Sequence, residues 1–384
     1  MLMEENDNNI KLNRQRDFFY NRLVKNKTHL LKWAKRQHVF CFRLYDRDIL
    51  EIPLCVDVYY IYNDKEDYSN PIVIVTLYQR PYTKNILEEK QWLSCMSKVI
   101  EDIFSISSLQ IFIKVRHKKK DTQYYVPEEQ KKISFIVKEY QAFFLISIRE
   151  LLDTGLFLDH RWLRKRIFET AKGKNILNLF CYTASFSVFA HLGHAQSSTS
   201  VDLSQNYLDW AKENFKLNGL SLENARFICS DVYTYLKTLI KANHARTHIH
   251  IEKRKYKIFS ETYKAIEHEE KYKQKEYSQK LYDIIICDAP TFSNSKKTNT
   301  VLNINEDWQC LCLLCLQVLS KDGIFYFSCN SKKIKINKEI LDHFKETIYS
   351  QLHRTVFIKD MSSILIDPDF KKREPHTLLQ FKFI

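Results

Sequence analysis

With 384 residues the chain is too long for a typical single hydrophobic core, so its length predicts two domains. Its ten cysteines have no framework spacing, its start is polar and acidic, and it lacks a long apolar run. These features argue against a secreted, disulfide-stabilised or membrane protein and predict a cytoplasmic one. The net charge of +14 indicates a polyanionic partner, with nucleic acid as the first candidate and a merely solvated basic surface as the alternative.

The first 150 residues predict a small α+β domain. Residues 1–17 are polar and are predicted to form a disordered tail, whereas from Phe18 apolar residues recur at helical spacing among lysines and arginines. This basic amphipathic helix is expected either to contact RNA or to pack with an ordinary charged outer face. A helix is also predicted at Ile86–Phe104, with strands at Val39–Tyr45, Val56–Tyr62, Ile72–Tyr78, Leu109–Val115 and Ile133–Val137. Residues 18–150 are interpreted as a domain that positions the substrate.

One strand of this domain ends in a strongly basic tract. Lys114–Lys120 contains five lysines and arginines in seven residues. At a hairpin tip such a cluster can hold phosphates, and a solvated loop is the competing interpretation.

The second half, residues 151–384, changes to alternating helices and strands. Helices are predicted at Arg161–Ala171 and near 185–191, 204–217, 231–241 and 306–319. Strands are predicted at Asn175–Leu179, Ser198–Asp202, Arg226–Cys229, Asp283–Cys287 and Gly323–Ser328. Such alternation predicts βαβ units and a parallel sheet covered on both faces.

Residues 241–280 interrupt this alternation. They contain 11 Lys+Arg, 6 Glu and no Gly or Pro, which indicates a charged surface insert. The insert holds histidines without a cysteine, so no metal site is predicted there or elsewhere.

Three successive strands of the second half are predicted to end in an acid. Asp202 is placed to accept hydrogen bonds from ribose hydroxyls, and Asp231 from an adenine amino group. Asp288 follows the apolar run Ile284–Cys287, which is typical of a strand buried on both faces. Any one of these acids alone is more often a helix N-cap. Together they predict a ligand site at the carboxyl ends of the strands.

The glycine pattern narrows the choice of cofactor. The chain has neither a Gly-Lys-Ser/Thr phosphate loop nor a Gly-x-Gly-x-x-Gly turn after the first strand of the second half. A nucleoside triphosphate or a dinucleotide is therefore disfavoured. S-adenosylmethionine has no phosphate and carries a positive sulfonium, so it suits a pocket lined with acids.

Several strings of residues occur in a fixed order along the second half. They are Leu152-Asp-Thr-Gly-Leu-Phe-Leu-Asp159-His-Arg161, Ile176-Leu-Asn-Leu-Phe-Cys-Tyr-Thr183, Val201-Asp-Leu-Ser204, Leu217-Asn-Gly219 and Pro290-Thr-Phe-Ser-Asn-Ser-Lys296. Together they resemble the RlmK-type 23S rRNA guanine-N7 methyltransferases, the C-terminal half of the bifunctional RlmKL family. Further matches, such as Phe42-Arg-Leu-Tyr-Asp46, extend the resemblance over nearly the whole chain from Phe18 except the insert.

The resemblance implies an α/β fold of the class I S-adenosylmethionine-dependent methyltransferase type. This Rossmann-like domain would have a mostly parallel seven-stranded sheet, preceded by a small α+β RNA-positioning domain. The implied partners are 23S rRNA and a separate RlmL-like methyltransferase that corresponds to the missing N-terminal half. The implied cofactor contacts are Asp159, Arg161, Asn178, Phe180, Tyr182, Thr183, Asp202, Leu203, Ser204, Asp231 and Val232. On the target side the resemblance implies Asp288, Pro290, Thr291, Phe292 and Asn294.

The implied reaction needs little chemical assistance. Guanine N7 has an in-plane lone pair and no proton, so catalysis is expected to consist mainly of placing N7 in line with the methyl group. Phe292 is expected to stack on the exposed base, or else simply to pack, while Thr291 and Asn294 bind base edges.

Two positions depart from the family pattern. Ala184 stands where the family has glycine, and Ala289 replaces the first proline of its Asp-Pro-Pro sequence. The extra methyl of Ala184 is expected to weaken cofactor binding, and the lost proline to loosen the turn. Weakened activity is the resulting prediction.

Two other functions stay open at this point. The Asp288-Ala-Pro290 sequence is also similar to RNA cytosine-5 methyltransferases, which need a cysteine nucleophile, and Cys329 is the best-placed one. A non-catalytic rRNA-binding assembly factor that retains the fold is the second alternative.

Overall fold

The computed structural model describes residues 2–384 apart from 64, 66, 79–84, 117–132, 149–153, 245–280, 295–300, 332, 335, 365 and 371–375. Most of the basic tract Lys114–Lys120 and of the insert at 241–280 therefore lies outside the described residues. None of the helices in the described part of the chain has the length and apolar character needed to span a membrane.

Helix α1, Leu2–Gln37, includes the segment that the sequence predicted to be a disordered tail. Residues 2–17 contain no Pro or Gly that would end a helix, and two of them, Leu12 and Gln15, contact the core that includes helix α2, Ile86–Phe104. Gln15 accepts a hydrogen bond of 2.7 Å from the indole N–H of Trp92, and Leu12 packs against the same core.

The small domain has a described four-stranded sheet in the order β1-β2-β3-β4. Its strands are β1 Cys41–Asp46, β2 Leu54–Tyr59, β3 Ile72–Tyr78 and β4 Ile111–Arg116. The last two run parallel because α2 crosses over between them, and the other neighbours are antiparallel. Buried faces of α1 and α2 form one apolar core with this sheet.

A hairpin of β5, Ile133–Glu139, and β6, Ala142–Ile148, lies between the two halves of the chain. Phe144 and Ile146 of β6 belong to an apolar cluster that includes Tyr59 of the small domain and Phe189 of the second half. The hairpin is a separate two-stranded sheet that joins the two cores, and backbone hydrogen bonds such as Phe40 N–H to the Lys138 carbonyl tie it to the small domain.

The second half contains a described seven-stranded sheet in the order β14-β15-β13-β10-β7-β8-β9. The strands are β7 Asn175–Leu179, β8 Ser197–Asp202, β9 Ala225–Cys229, β10 Tyr282–Ala289, β13 Leu319–Cys329, β14 Val356–Asp360 and β15 Thr377–Phe383. All neighbours are parallel except β15, which is antiparallel to both β13 and β14. The predicted α/β fold with a mostly parallel seven-stranded sheet is confirmed.

Helices connect these strands and cover the sheet. They are α3 Arg161–Thr170, α4 Ser185–Leu192, α5 Gln205–Leu217, α6 Val232–His244, α7 Ile304–Gln317 and α8 Lys338–Leu352. A short 3-10 helix, Leu158–His160, leads directly into α3. After β10 a small antiparallel pair follows, β11 Phe292–Asn294 and β12 Val301–Asn303.

A buried ion-pair network, formed by Glu139, Arg161, Arg164, Asp367 and Asp369, connects the halves. The Arg161 guanidinium donates to Asp369 at 3.0 Å, to Asp367 at 3.2 Å and to the Cys41 carbonyl of the small domain at 2.8 Å. Arg164 holds Glu139 through two hydrogen bonds of 2.6 and 2.8 Å. The side chains of both arginines and of Glu139 are fully buried, so each charge depends on these partners.

We expect Arg161→Met to lower the free energy of unfolding by about 3–5 kcal/mol, because it leaves buried carboxylates without their counter-charge. Urea unfolding, followed by tryptophan fluorescence, measures the change. The matched control is Arg166→Met on the same helix, since Arg166 and its partner Glu169 are both exposed. Arg166→Met should lower the free energy of unfolding by at most about 1 kcal/mol. Equal decreases in the two variants would contradict a central role for the network.

Candidate active site

The site lies where the strand order reverses, at the carboxyl ends of β7 and β10. From β7 the chain proceeds outward through β8 and β9, then returns to the other side of β7 with β10. In open α/β sheets the loops that leave such neighbouring strands diverge and form a crevice. The predicted acids Asp202, Asp231 and Asp288 all lie at or just beyond the strand ends that border this crevice.

The loop after β7 has an unusual backbone. Phe180, Tyr182 and Ala184 all adopt left-handed conformations, with φ of 54°, 52° and 56°. Non-glycine residues rarely adopt this region, and groups of them are characteristic of functional sites. The loop is fixed at both ends, because the Cys181 N–H donates to the Val201 carbonyl of β8 and the Thr183 hydroxyl donates to the Gly155 carbonyl.

Asp202 connects this loop to the next one. Its carboxylate accepts hydrogen bonds of 2.9 Å from the backbone N–H of Tyr182 and from that of Ser204. Burial raises the pKa of Asp202, and the backbone hydrogen bonds only partly oppose this shift. A carboxylate has about four acceptor positions, so Asp202 retains the capacity to accept from ribose hydroxyls.

Asn178, in β7, is fully buried and donates to the Ser187 hydroxyl at 3.0 Å. Its amide oxygen is buried and has no hydrogen-bond partner among the described residues. A buried acceptor without a donor is costly, and the ammonium of a cofactor's methionine end would satisfy it. The unpaired oxygen of Asn178 fits the methionine end of S-adenosylmethionine, and the carboxylate of Asp202 fits its ribose.

The remaining predicted cofactor residues have identifiable structural roles. Asp231 accepts from the backbone N–H and the hydroxyl of Thr234, as an N-cap of α6 does, and Val232 is buried in the core. Ser204 caps α5 through Tyr207, and the Leu203 carbonyl faces the Cys229 thiol. All four residues follow or end strands β8 and β9, and their contact with a cofactor stays a prediction.

Arg161 does not project into the crevice. Its side chain is fully buried in the ion-pair network, so the structure gives it a domain-joining role instead of the predicted cofactor contact. The physical reason is that three carboxylates compete for this guanidinium within the protein. Asp159, two residues earlier, is half-buried and lies 3.8 Å from His376.

Asp288 forms an ion pair that the sequence did not predict. Its carboxylate lies 3.0 Å from Nε2 of His160, which is almost fully buried. Burial alone would raise the pKa of Asp288, but the charge and hydrogen bond of His160 lower it. Burial likewise disfavours the imidazolium, yet the carboxylates of Asp288 and Asp159 raise the pKa of His160 above its ordinary value.

The ring of His160 also packs against that of His376, with centroids 4.2 Å apart and ring planes tilted by 33°. We call Asp159, His376, His160 and Asp288 the Asp-His-His-Asp cluster. Three of its members, Asp159, His160 and His376, have possible metal-ligand atoms within 4.8 Å of one another. Asp288 and Asp159 raise the pKa of His160, and the imidazolium that they favour has no lone pair for a metal ion, so we interpret the cluster as ion-paired.

The segment after Asp288 presents an aromatic ring to solvent. Phe292, the first residue of β11, is 59% exposed although it is large and apolar. Pro290 is half-buried, and the exposed Thr291 hydroxyl donates to the Asn330 side chain at 2.5 Å. Asn294 lies in β11, and its side chain is outside the described part of the structure.

Cys329 is a poor nucleophile in this structure. It is fully buried in β13, opposite Ala289 of β10. Burial raises the pKa of the Cys329 thiol to about 11, whereas attack on a cytosine requires a thiolate.

The two departures from the family pattern are accommodated inside the protein. The methyl group of Ala184 is fully buried in a cluster with Leu208 and Ala211 of α5. Ala289 is buried in the core of the sheet, only 3% exposed. Neither methyl group therefore lies on the exposed wall of the crevice.

Sequence reasoning missed His160, His376 and Phe157. The histidines lie far from Asp288 in the sequence, and only the sheet topology brings them together. Phe157 is 42% exposed and its ring lies 5.2 Å from that of Tyr182, at the edge of the loop after β7. The string Asp159-His-Arg161 indicated that this segment borders the site. The sequence does not show which of its three side chains enters the site.

The fold and this crevice define an S-adenosylmethionine-dependent methyltransferase. A family model described as S-adenosylmethionine-dependent methyltransferase matches residues 61–251. Among solved structures, SMU.776, a methyltransferase complexed with S-adenosylhomocysteine, superimposes with a TM-score of 0.66 at 20% identity, over 96% of this chain and 82% of that one. A methyltransferase from Agrobacterium tumefaciens has a TM-score of 0.53 at 17% identity, covering 86% and 87%.

Sequence relatives identify the family more narrowly. Ribosomal RNA large subunit methyltransferase K of Neisseria meningitidis is 35% identical over 93% of this chain and 85% of its own length. Methyltransferase K/L of Psychromonas ingrahamii is 36% identical over 93% of this chain but only 40% of its own length. The chain belongs to the ribosomal RNA large subunit methyltransferase K family, and it spans less than half of the K/L relatives. S-adenosylmethionine is the cofactor of this family.

We expect Asp202→Asn to raise the Kd for S-adenosylmethionine about 10- to 100-fold, because a hydrogen bond to a charged group contributes about 1.5–3 kcal/mol. Isothermal titration of the purified protein measures this. Asp209→Asn is the matched control, since Asp209 lies on α5 and pairs with the exposed Lys212. An unchanged Kd in Asp202→Asn would remove this residue from the site.

We expect Ala184→Gly to change the same Kd less than about threefold. The methyl group packs against α5, so removing it does not enlarge the cofactor site. Stability should also change little, because relief of the left-handed backbone, about 1 kcal/mol, nearly cancels the loss of one buried methyl, about 0.8 kcal/mol. A tenfold tighter Kd would show instead that the methyl group obstructs the cofactor.

Proposed function

We propose that the protein transfers the methyl group of S-adenosylmethionine to N7 of a guanine in 23S rRNA. The observation that carries the proposal is the exposed Phe292, directly beyond Asp288 at the crevice of a chain related to ribosomal RNA large subunit methyltransferase K. An exposed aromatic ring beside a cofactor site is suited to stack on a base that has left its helix.

The reaction class fits the residues at the crevice. When bound, S-adenosylmethionine supplies an electrophilic methyl group, which the N7 lone pair takes while the C–S bond breaks and the positive charge passes to the purine. No proton leaves N7, so no general base is needed. Asp288, already paired with His160, is consistent with an orienting group rather than a proton acceptor.

The two alternative functions receive less support. Cytosine-5 methylation requires a reactive cysteine, and Cys329 is buried with a raised thiol pKa of about 11. Weakened activity was expected from Ala184 and Ala289, which would favour a non-catalytic factor, but both methyl groups are buried in apolar clusters. The proposal includes a cytoplasmic location, which the free state of all ten cysteines supports.

The small domain and partners belong to the same proposal. Because the whole chain has a net charge of +14, it attracts RNA, and we propose that the domain at residues 18–150 positions 23S rRNA. The chain matches less than half of each K/L relative. We propose that a separate RlmL-like protein corresponds to the remainder.

The deciding experiment incubates the protein with unmodified 23S rRNA and methyl-labelled S-adenosylmethionine. Mass spectrometry of nuclease fragments then locates the label. We expect one labelled guanine whose backbone becomes cleavable after borohydride and aniline treatment, as N7 methylation makes it. Label on cytosine C5 would contradict the proposal, and absence of cofactor binding would contradict an enzymatic role altogether.

We expect Phe292→Ala to lower kcat/KM for the RNA about 10- to 100-fold, since base stacking on an aromatic ring contributes about 1–3 kcal/mol. The Kd for S-adenosylmethionine should not change. Phe357→Ala is the control, because Phe357 is also exposed but lies in the distant edge strand β14. Full activity of Phe292→Ala would assign this ring to packing alone.

A further inference from the structure

The Asp-His-His-Asp cluster holds a buried, titratable pair at the end of the strand that borders the crevice. We propose that His160 is a positioning residue whose imidazolium orients the Asp288 carboxylate for methyl transfer. His376 packs against the His160 ring, and Asp159 lies beside His376. This inference rests on the proposed function, because it assigns a role within that reaction.

The geometry restricts His160 to one arrangement. Its Nε2 lies 3.0 Å from Asp288, its ring packs against the tilted ring of His376, and it forms a T-shaped contact with Phe186 of α4 at a centroid distance of 5.6 Å. The His160 side chain is only 6% exposed, whereas Asp288 is 21% exposed. The carboxylate therefore reaches the crevice while the residue that aims it does not.

The charges around His160 favour its protonated form. Asp288 on β10 and Asp159 on the 3-10 helix are negative, and His376, just before β15, is the other titratable group in contact. Arg164 on α3 is the opposing cation, but it is committed to Glu139 and to the Phe157 carbonyl. Two carboxylates thus face one ring, and an imidazolium balances them better than a neutral imidazole.

A paired Asp288 also suits the edge of guanine that must approach. N7 and O6 are both acceptors, so a lone carboxylate beside them would repel the base. When His160 is charged, the pair as a whole is neutral and presents an oriented dipole instead. The same pair needs no proton exchange with the substrate, in agreement with an N7 nucleophile.

The pair has a defined pH window. The pKa of His160 is raised, so its favourable interaction is complete at low pH and is lost as pH rises through that pKa. The pKa of Asp288 is lowered, so the favourable interaction of its carboxylate with His160 is lost only when pH falls through that lowered pKa. The alkaline limb of the pH dependence of kcat is therefore assigned to His160.

Two substitutions separate the hydrogen bond from the charge. His160→Gln keeps a side-chain N–H donor without a titratable ring, and His160→Leu removes both. We expect kcat to fall about 10-fold in the first and about 100-fold in the second, while the Kd for S-adenosylmethionine changes less than about threefold. The alkaline limb should disappear in His160→Gln and persist in the control His191→Gln, whose ring bonds to Ser198 away from the cluster. Equal losses in both His160 variants, with the limb retained, would overturn the proposal in favour of plain packing.

A second measurement is independent of activity. Proton–carbon NMR of the histidine-labelled protein gives the His160 pKa directly, with His160→Gln used for assignment. We expect a pKa above that of a free histidine, lowered in Asp288→Asn. A normal pKa that Asp288→Asn leaves unchanged would overturn the pairing. If instead the pairing is observed but no RNA is methylated, the proposed function fails and the ion pair stands.

Discussion

The buried guanidinium of Arg161 is the contact on which the arrangement of the two halves depends. It binds a carbonyl of the small domain and two carboxylates from the segment before β15, and it lies 5.1 Å from the Trp33 ring of α1. Burial raises the pKa of Asp369 to about 6, and the charge of Arg161 opposes this shift. The residue before Arg161, His160, pairs instead with Asp288 at the crevice. Two adjacent residues thus connect the domain junction to the crevice.

Local patterns predicted most elements of the fold. Helix α2 and strand β7 were placed at their observed bounds, because their apolar spacing and flanking residues are unambiguous. Strand β6 was missed because its hairpin turns at Tyr140-Gln141, where Tyr140 adopts a φ of 54° without Gly, Asn or Asp to signal it. Strands β14 and β15 at the carboxyl end were likewise not predicted, although they complete the sheet.

The place of a candidate site residue in the fold was predictable where it follows from the residue's position along its own strand. Asp202 and Asp288 are examples, since a strand end is visible in the sequence. His160 and Arg161 are the opposite case, because their roles depend on which distant carboxylates the fold brings near. The substitutions Ala184 and Ala289 illustrate the same limit, as only the packing shows that their methyl groups face apolar neighbours.

The Asn218 side chain has a consequence for how the hairpin meets other molecules. Its amide donates to the Phe143 carbonyl at 2.7 Å and accepts from the Phe143 N–H at 2.8 Å, as a neighbouring strand would. Two residues hydrogen-bond the backbone of Leu145 in the same way: Asn214 accepts from its N–H and Trp210 donates to its carbonyl. Helix α5 thereby closes the outer edge of β6 with side chains. An edge blocked in this manner cannot recruit a foreign strand, so the hairpin is protected against edge-to-edge aggregation.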